Sequence, residues 1–236
     1  MRNNNNRYVK EKKASLNPLP LFSMIKCRQM AMYLMLMGLC VTHLNAQVGI
    51  GTNTPKARFH VADSSVLFTG PSPLPVSAAP TPVSGPGRRF FWYADKAAIR
   101  GGRIVGNGWN KDSIGQHSVA FGLSSIAKGN VSFAAGSGSR ASGLGSVAMG
   151  LNAQAMADYA FAIGNGSQAS GNASLAAGNN TSAMGDYAVA FGSSSMASND
   201  YAFAMGNGSI ASSYASTAIG DHCNVTGLAS LAIGNH

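Results

Sequence analysis

The sequence predicts an all-β chain: a parallel β-roll solenoid of fourteen-residue coils. Three observations predict it. Glycine recurs every fourteen residues, without insertion or deletion, at Gly122, Gly136, Gly150, Gly164, Gly178, Gly192, Gly206, Gly220 and Gly234. Small and large residues alternate before each of them, as in Ser146-Val147-Ala148-Met149, which is the period of a strand. Fourteen residues is also too short for a helical solenoid, whose repeats run to about 30–47.

The elements follow in chain order. Residues 1–46 read as a leader and signal peptide, with Met24 as an alternative start. A basic stretch around Lys26 and Arg28 precedes a short apolar run from Met30 to Val41, too short to span a bilayer comfortably. Cleavage is expected between Ala46 and Gln47, which leaves no integral membrane segment in the mature chain. Residues 47–70 form a short N-terminal segment. Residues 71–87 carry six of the nine prolines and predict an extended linker. Residues 88–112 are aromatic and basic, with Phe90, Phe91, Trp92, Tyr93 and Trp109. They are expected to pack on the first coil and cap it, as a solenoid end requires. Residues 113–236 are the repeats.

Positions are counted from the residue after each recurring glycine, so Leu123 is position 1 and Gly136 position 14. The working pattern is x-x-S-x-A-x-G-x-x-S/A-Φ-A-Φ-G, with Φ apolar. A degenerate unit from Trp109 precedes eight full ones. A coil of fourteen has room for two strands of about five residues and two turns. The position-14 glycines are expected to mark one turn. Position 7 marks the other, with Gly129, Gly143, Gly171, Gly185, Gly227 or Asn199, residue types that tolerate positive φ.

Alternation sorts the side chains. Position 12 is Ala in every unit: Ala120, Ala134, Ala148, Ala162, Ala176, Ala190, Ala204, Ala218 and Ala232. These are assigned to the roll interior, where so narrow a coil admits only small groups at normal packing density. Positions 11 and 13 have the opposite parity and point outward. They hold Phe133, Val147, Met149, Phe161, Ile163, Phe191, Phe203, Met205, Ile219, Leu231 and Ile233. An apolar stripe along a whole rod exceeds what monomers expose. It is therefore expected to be a subunit interface, closed by cyclic symmetry as a homotrimer, with a dimer or a docked N-terminal segment as alternatives.

Composition excludes several functions. The net charge of +9 suggests nucleic acid until it is located: residues 1–46 supply +6 of it. The units from Leu123 onward hold two basic residues and four aspartates, so no nucleic-acid partner is expected. Cys223 is the one cysteine after residue 46 and stands where other units have Ser, so it reads as a small buried residue. His60, His117, His222 and His236 lack metal-ligand spacing. The Gly/Ser runs lack the Lys-Ser/Thr and the strand–loop–helix context of a phosphate loop. No enzyme, cofactor or metal is expected. The pairs Asp158-Tyr159, Asp186-Tyr187 and Asp200-Tyr201 read as turn hydrogen bonds beside packed rings, with a ligand-facing ladder as the alternative.

The units "HSVAFG", "GSVAMG", "ASLAAG" and "STAIG" resemble the head repeats of trimeric autotransporter adhesins, the YadA-like head. The resemblance covers about residues 109–236. It implies a trimer of left-handed β-rolls and a role in cell adhesion. "QVGIGTNTPKARFHV" (Gln47–Val61) resembles the opening of secreted surface proteins of Bacteroidetes-type bacteria. The resemblance departs from the family after the repeats: no neck, stalk heptads or barrel strands follow, and the chain stops two residues into a new coil.

Two functions are carried forward. The first is a secreted or cell-surface, outer-membrane-associated adhesin-like head that attaches to host extracellular matrix, glycan or other cells. The second is a structural shaft or spacer of a surface or phage-tail-like fibre whose tip, chaperone or anchor lies elsewhere. An ice-binding solenoid is set aside because no Thr-x-Thr ladder is present.

Overall fold

The computed structural model describes residues 28–30, 32 and 47–235. The signal-peptide expectation, Ala46 included, lies outside the described residues except for residues 28–30, 32 and Gln47. No helix among the described residues is long and apolar enough to cross a membrane. The chain divides into two units, Met1–Leu67 and Phe68–His236. In the first, β1 (Val48–Ile50) pairs in parallel with β2 (Phe59–Val61).

In the second, residues 71–86 run without regular structure but are tied down. Tyr93 Oη donates to the Ala79 carbonyl, and the Arg89 guanidinium donates to the carbonyls of Val83 and Gly85. The Ala79 amide donates to the Asp95 carboxylate at 2.8 Å. β3 (Gly87–Tyr93) and β4 (Ala98–Ile104) then form an antiparallel hairpin. β4 pairs in parallel with β5 (Val119–Leu123), Arg100 opposite Ala120 and Gly102 opposite Gly122. It is therefore already in register with the repeats.

From β5 onward each coil contributes one long and one short strand. β5 is followed by β6 (Ile126–Ala127), then Phe133–Ser137 and Arg140–Ala141, and so on to Leu231–Asn235. The long strands stack in parallel into an 11-stranded sheet that includes β3 and β4, and the short ones into an 8-stranded sheet. Every partner lies fourteen residues away, as Phe161 does from Leu175 and Gln154 from Gln168. The expectation of two strands of about five residues is corrected. One has five residues and the other two, since the short strand has room only between the bend at position 2 and the turn that opens at position 7.

The glycine expectations are corrected too. The position-14 glycines lie inside the long strands rather than at a turn, with φ between 105° and 141°. The chain bends at position 2, where Ser124, Asn152, Asn180, Ser194 and His222 sit near φ 55°. The position-7 glycines and Asn199 are not in the left-handed region; position 9 is, with Tyr159 at 57° and Tyr187 at 56°. That residue is the third of a turn closed from the position-10 amide to the position-7 carbonyl, as Ser146 to Gly143 at 3.3 Å. Position 7 is glycine in five of the eight full coils, and coils approach closely there. A β-carbon on Gly129 would lie 1.8 Å from the Gly143 carbonyl oxygen.

The interior holds four ladders of small residues. Positions 5 and 12 are alanines with no exposure from Ala120 to Ala218, and Val225 and Ala232 end the ladders, the latter half-buried. Positions 3 and 10 are mostly buried serines. Their hydroxyls satisfy carbonyls that would otherwise be buried without a partner. Ser167 Oγ donates 2.9 Å to the Gly178 carbonyl of the next coil, and Ser209 2.8 Å to that of Gly220. Ser146 and Ser174 donate at 2.8 and 2.6 Å to the position-7 carbonyl of their own turn. Cys223 keeps this pattern with its thiol, 3.0 Å from the Gly234 carbonyl.

Candidate interaction surface

The outward face of the long-strand sheet presents apolar side chains along the whole roll. In the single chain Met149, Phe161, Met205, Leu231 and Ile233 are exposed, and Phe133, Val147, Ile163, Phe191, Phe203 and Ile219 are half-buried. The parallel register stacks them in two columns. Position 13 runs Met149, Ile163, Ala177, Phe191, Met205 and Ile219, and position 11 runs Val147, Phe161, Leu175, Val189, Phe203 and Thr217. Ala135 and Ala177 interrupt the large side chains of position 13, which gives the face relief. The opposite, short-strand face is mixed: Arg140, Gln168 and Asn224 are exposed, and Gln154 and Ser182 half-buried.

The Asp-Tyr pairs occupy the corner at positions 8 and 9. Each carboxylate accepts a backbone amide from the preceding coil: Asp158 from Leu144 at 2.8 Å, Asp186 from Asn172 at 2.7 Å and Asp200 from Asp186 at 2.9 Å. Asn130 does the same for Gln116. The aspartates therefore staple coil to coil. The rings do leave an exposed aromatic edge, however. Tyr187 and Tyr201 stack at 5.1 Å, and Tyr214 meets Tyr201 edge-on at 5.5 Å. All three are about half exposed. Tyr214 lies at position 8, one residue out of the Asp-Tyr pattern, so the motif does not reveal it.

At the other end, Arg100 occupies an interior position held by alanine in every later coil. It is fully buried, and its guanidinium donates to the carbonyls of Ile99, Ser118 and Ala127 and to Ser118 Oγ, at 2.8–2.9 Å. Among the described residues no carboxylate pairs with it, and burial pushes its pKa down to about 10. Trp109, Tyr93, Ala98, Ile104 and Ile114 form a separate buried cluster beside it, with the indole N–H donating to the Ser125 carbonyl at 2.8 Å. The sequence reading singled out the aromatics of this stretch but not Arg100. The signal available was an arginine in register with the alanine column.

Among the described residues no group of three or more His, Cys, Asp or Glu could hold a metal ion. His222 contacts Asp221 at 3.0 Å, with both side chains largely in solvent. The Asn207 amide and His222 hold the Asp221 carboxyl below its usual range.

Comparison with curated proteins finds no match to this chain. Residues 113–139, 141–167, 169–195 and 197–222 each match the family model of the YadA head domain repeat, which describes two copies at a time. Successive matches start twenty-eight residues apart, which is two coils of the roll.

Proposed function

We propose, from the premise that the coils of residues 113–222 are YadA head domain repeats, that this chain is the head of a surface adhesin acting as a homotrimer. The observation that carries the reading is the unpartnered apolar face of the long-strand sheet, nine coils long. A face this size needs cover, and the repeats are of the kind that build heads of trimeric autotransporter adhesins. Three rods would cover one another's stripe and leave the short-strand face and the corners in water. The head would then present repeated weak contacts outside the cell, where binding gains from multiplicity. Matrix, glycan or another cell is the target class. The roll is built from backbone ladders and small side chains, so this is a role of presentation rather than of chemistry.

Light scattering of the purified protein on a gel-filtration column tests the assembly. A mass near three chains is expected. A monodisperse single chain would remove the structural basis of the reading. Attachment to immobilised matrix proteins and to cells tests the role. The spacer reading, favoured by the uniformity of the coils, predicts a trimer that attaches to neither.

A further inference from the structure

The corner at positions 8 and 9 carries four exposed tyrosines, and three of them contact one another. Tyr187 stacks on Tyr201 with planes 13° apart, and Tyr214 meets the Tyr201 ring edge-on. Tyr159 is the fourth. It makes no ring–ring contact among the described residues and is 63% exposed. Its ring leans toward the preceding coil, where a β-carbon on Gly145 would lie 3.1 Å from it.

Tyr159 and Tyr187 hold the same position two coils apart, and the coil between them has Ala173 there. Ala173 is itself exposed. All three residues lie in the left-handed region, at φ 57°, 50° and 56° in chain order, so their side chains leave the backbone in the same direction. One face of Tyr187 is covered by Tyr201, so its free face looks toward Ala173. Tyr159, with Gly145 behind it, turns its free face the same way. Tyr187 and Tyr201, one coil apart, are separated by 5.1 Å. Two coils put the Tyr159 and Tyr187 walls about 10 Å apart, room for one further ring stacked at about 5 Å on each side. Ala173 is the floor.

One edge of this slot is a row of acceptors. Asn172 stands there between Asp158 and Asp186, and its side-chain amide donates to the Asp186 carboxylate at 3.1 and 3.2 Å. Asp158 spends one oxygen on the Leu144 amide, and the other has no partner among the described residues.

The slot stands apart from the apolar stripe. Positions 8 and 9 form the corner where the chain turns from one sheet into the other. Buried residues at position 10, Ala160, Ser174 and Ala188, separate it from the outward positions 11 and 13. The assembly proposed above covers that stripe. The aspartates of the corner have no cationic partner among the described residues, and a dry contact between chains would leave their charges uncompensated.

We propose that this slot, walled by Tyr159 and Tyr187 over Ala173, binds one ring of a neutral glycan. The inference rests on the surface-attachment reading and names its ligand class. Two aromatic faces suit the C–H faces of a saturated sugar ring, and fixed acceptors at one edge take its hydroxyls. A proline-rich peptide also packs on tyrosines, but its prolines have no N–H to donate, which leaves the carboxylates unmet. An acidic polysaccharide or a nucleic acid is repelled, since residues 141–236 carry four Asp and no Lys, Arg or Glu. One slot in each chain of the assembly gains by multiplicity.

The test applies the purified protein to a surface printed with neutral, carboxylated and sulfated oligosaccharides and a proline-rich peptide. Retention on the neutral set is expected. Tyr159→Ala and Tyr187→Ala should each weaken it by about tenfold or more, as each removes a stacking wall. Ala173→Tyr removes nothing. Tyrosine already sits in this conformation at Tyr159, Tyr187 and Tyr201, so the fold should hold while the new ring fills the slot, and retention should again fall by about tenfold or more. Tyr214→Ala alters the corner outside the slot and should change retention less than threefold. Thermal melts of all variants confirm folding. Unchanged retention in folded Ala173→Tyr, or in both wall variants, would overturn the proposal. So would tighter retention on the charged oligosaccharides or the peptide than on the neutral set. No glycan binding by a protein that still attaches to cells would sink the ligand class and leave the attachment reading standing. A protein that does neither would sink both.

Discussion

A β-carbon added to Gly164 would lie 2.0 Å from the carbonyl oxygen of Gly178 in the next coil. The strand crosses this point at φ 115°, in a region that L side chains rarely adopt. The same contact recurs from Gly102 to Gly220, at 1.7–2.2 Å. The spacing between coils is therefore set by backbone touching backbone, and the glycine column is what lets the coils stack at strand distance.

Gly164→Ala should accordingly destabilise the protein by about 3 kcal/mol or more, since neither φ nor the neighbouring carbonyl can give way cheaply. Gly166→Asn is the contrast. Gly166 lies at the corner with φ 65°, other coils carry Asn152 and Asn180 there, and a β-carbon would press only on the Asn180 side-chain amide, which can rotate away where the Gly178 backbone cannot. It should change stability by less than about 1 kcal/mol. Urea midpoints at one protein concentration decide; equal losses would refute the backbone-contact account.

The interior column makes a second prediction. Ala162 has no exposed surface and stacks between Ala148 and Ala176. Ala162→Val should cost about 1–3 kcal/mol by overpacking. Ser167→Ala should cost about 1 kcal/mol, because it leaves the Gly178 carbonyl without its hydroxyl donor. Thermal melts of the two variants should rank in that order.

Arg100 makes a third. Its charge is desolvated without a counter-ion, so relief of that charge offsets the loss of its hydrogen bonds and its bulk matters most. Arg100→Met should cost less than about 1 kcal/mol at neutral pH, and Arg100→Ala about 3 kcal/mol by opening a cavity. The pH dependence has a definite sign. Burial lowers the folded pKa to about 10, below that of a solvated guanidinium, so the unfolded chain holds this proton more tightly. The penalty is complete below about pH 10 and fades as the pH rises above it. Wild type should gain on Arg100→Met between about pH 9 and about pH 11. A difference that shrinks instead would contradict the assignment.

The outward stripe makes a fourth. Phe191→Lys and Met205→Lys place charges at the centre of the face, on adjacent rungs of one column. The double variant should run as a single chain by light scattering, with the wild type near three. Persistence of the larger mass would move the interface to another face. Far-ultraviolet dichroism should stay unchanged if the coils fold alone and drop if each chain needs its neighbours.

Much of this architecture was legible from spacing. Fourteen-residue glycines and invariant alanines name a coil too narrow for anything but small side chains, and the structure buries Ala120 to Ala218 completely. The aspartates of the Asp-Tyr pairs staple one coil to the next, the structural option of the two the sequence left open. Three features were not legible. Position 7 and position 14 both read as glycine, and composition cannot separate a glycine needed for positive φ from one needed for close approach. Valine at Val131 and tyrosine at Tyr159, neither an ordinary choice for the left-handed region, hide the true bend at position 9. Arg88 and Arg103 are fifteen residues apart in sequence, and only a hairpin of defined register makes them neighbours.

The sequence by itself determined the repeat length, the in-register parallel stacking and the identity of the interior. Each of these follows from a period, and a period survives in one dimension. Tertiary structure alone decided where the chain bends and why each glycine is required. It also decided which charges stand together at the end of the rod. Those depend on distances between atoms of different coils, set by how closely one backbone can approach the next.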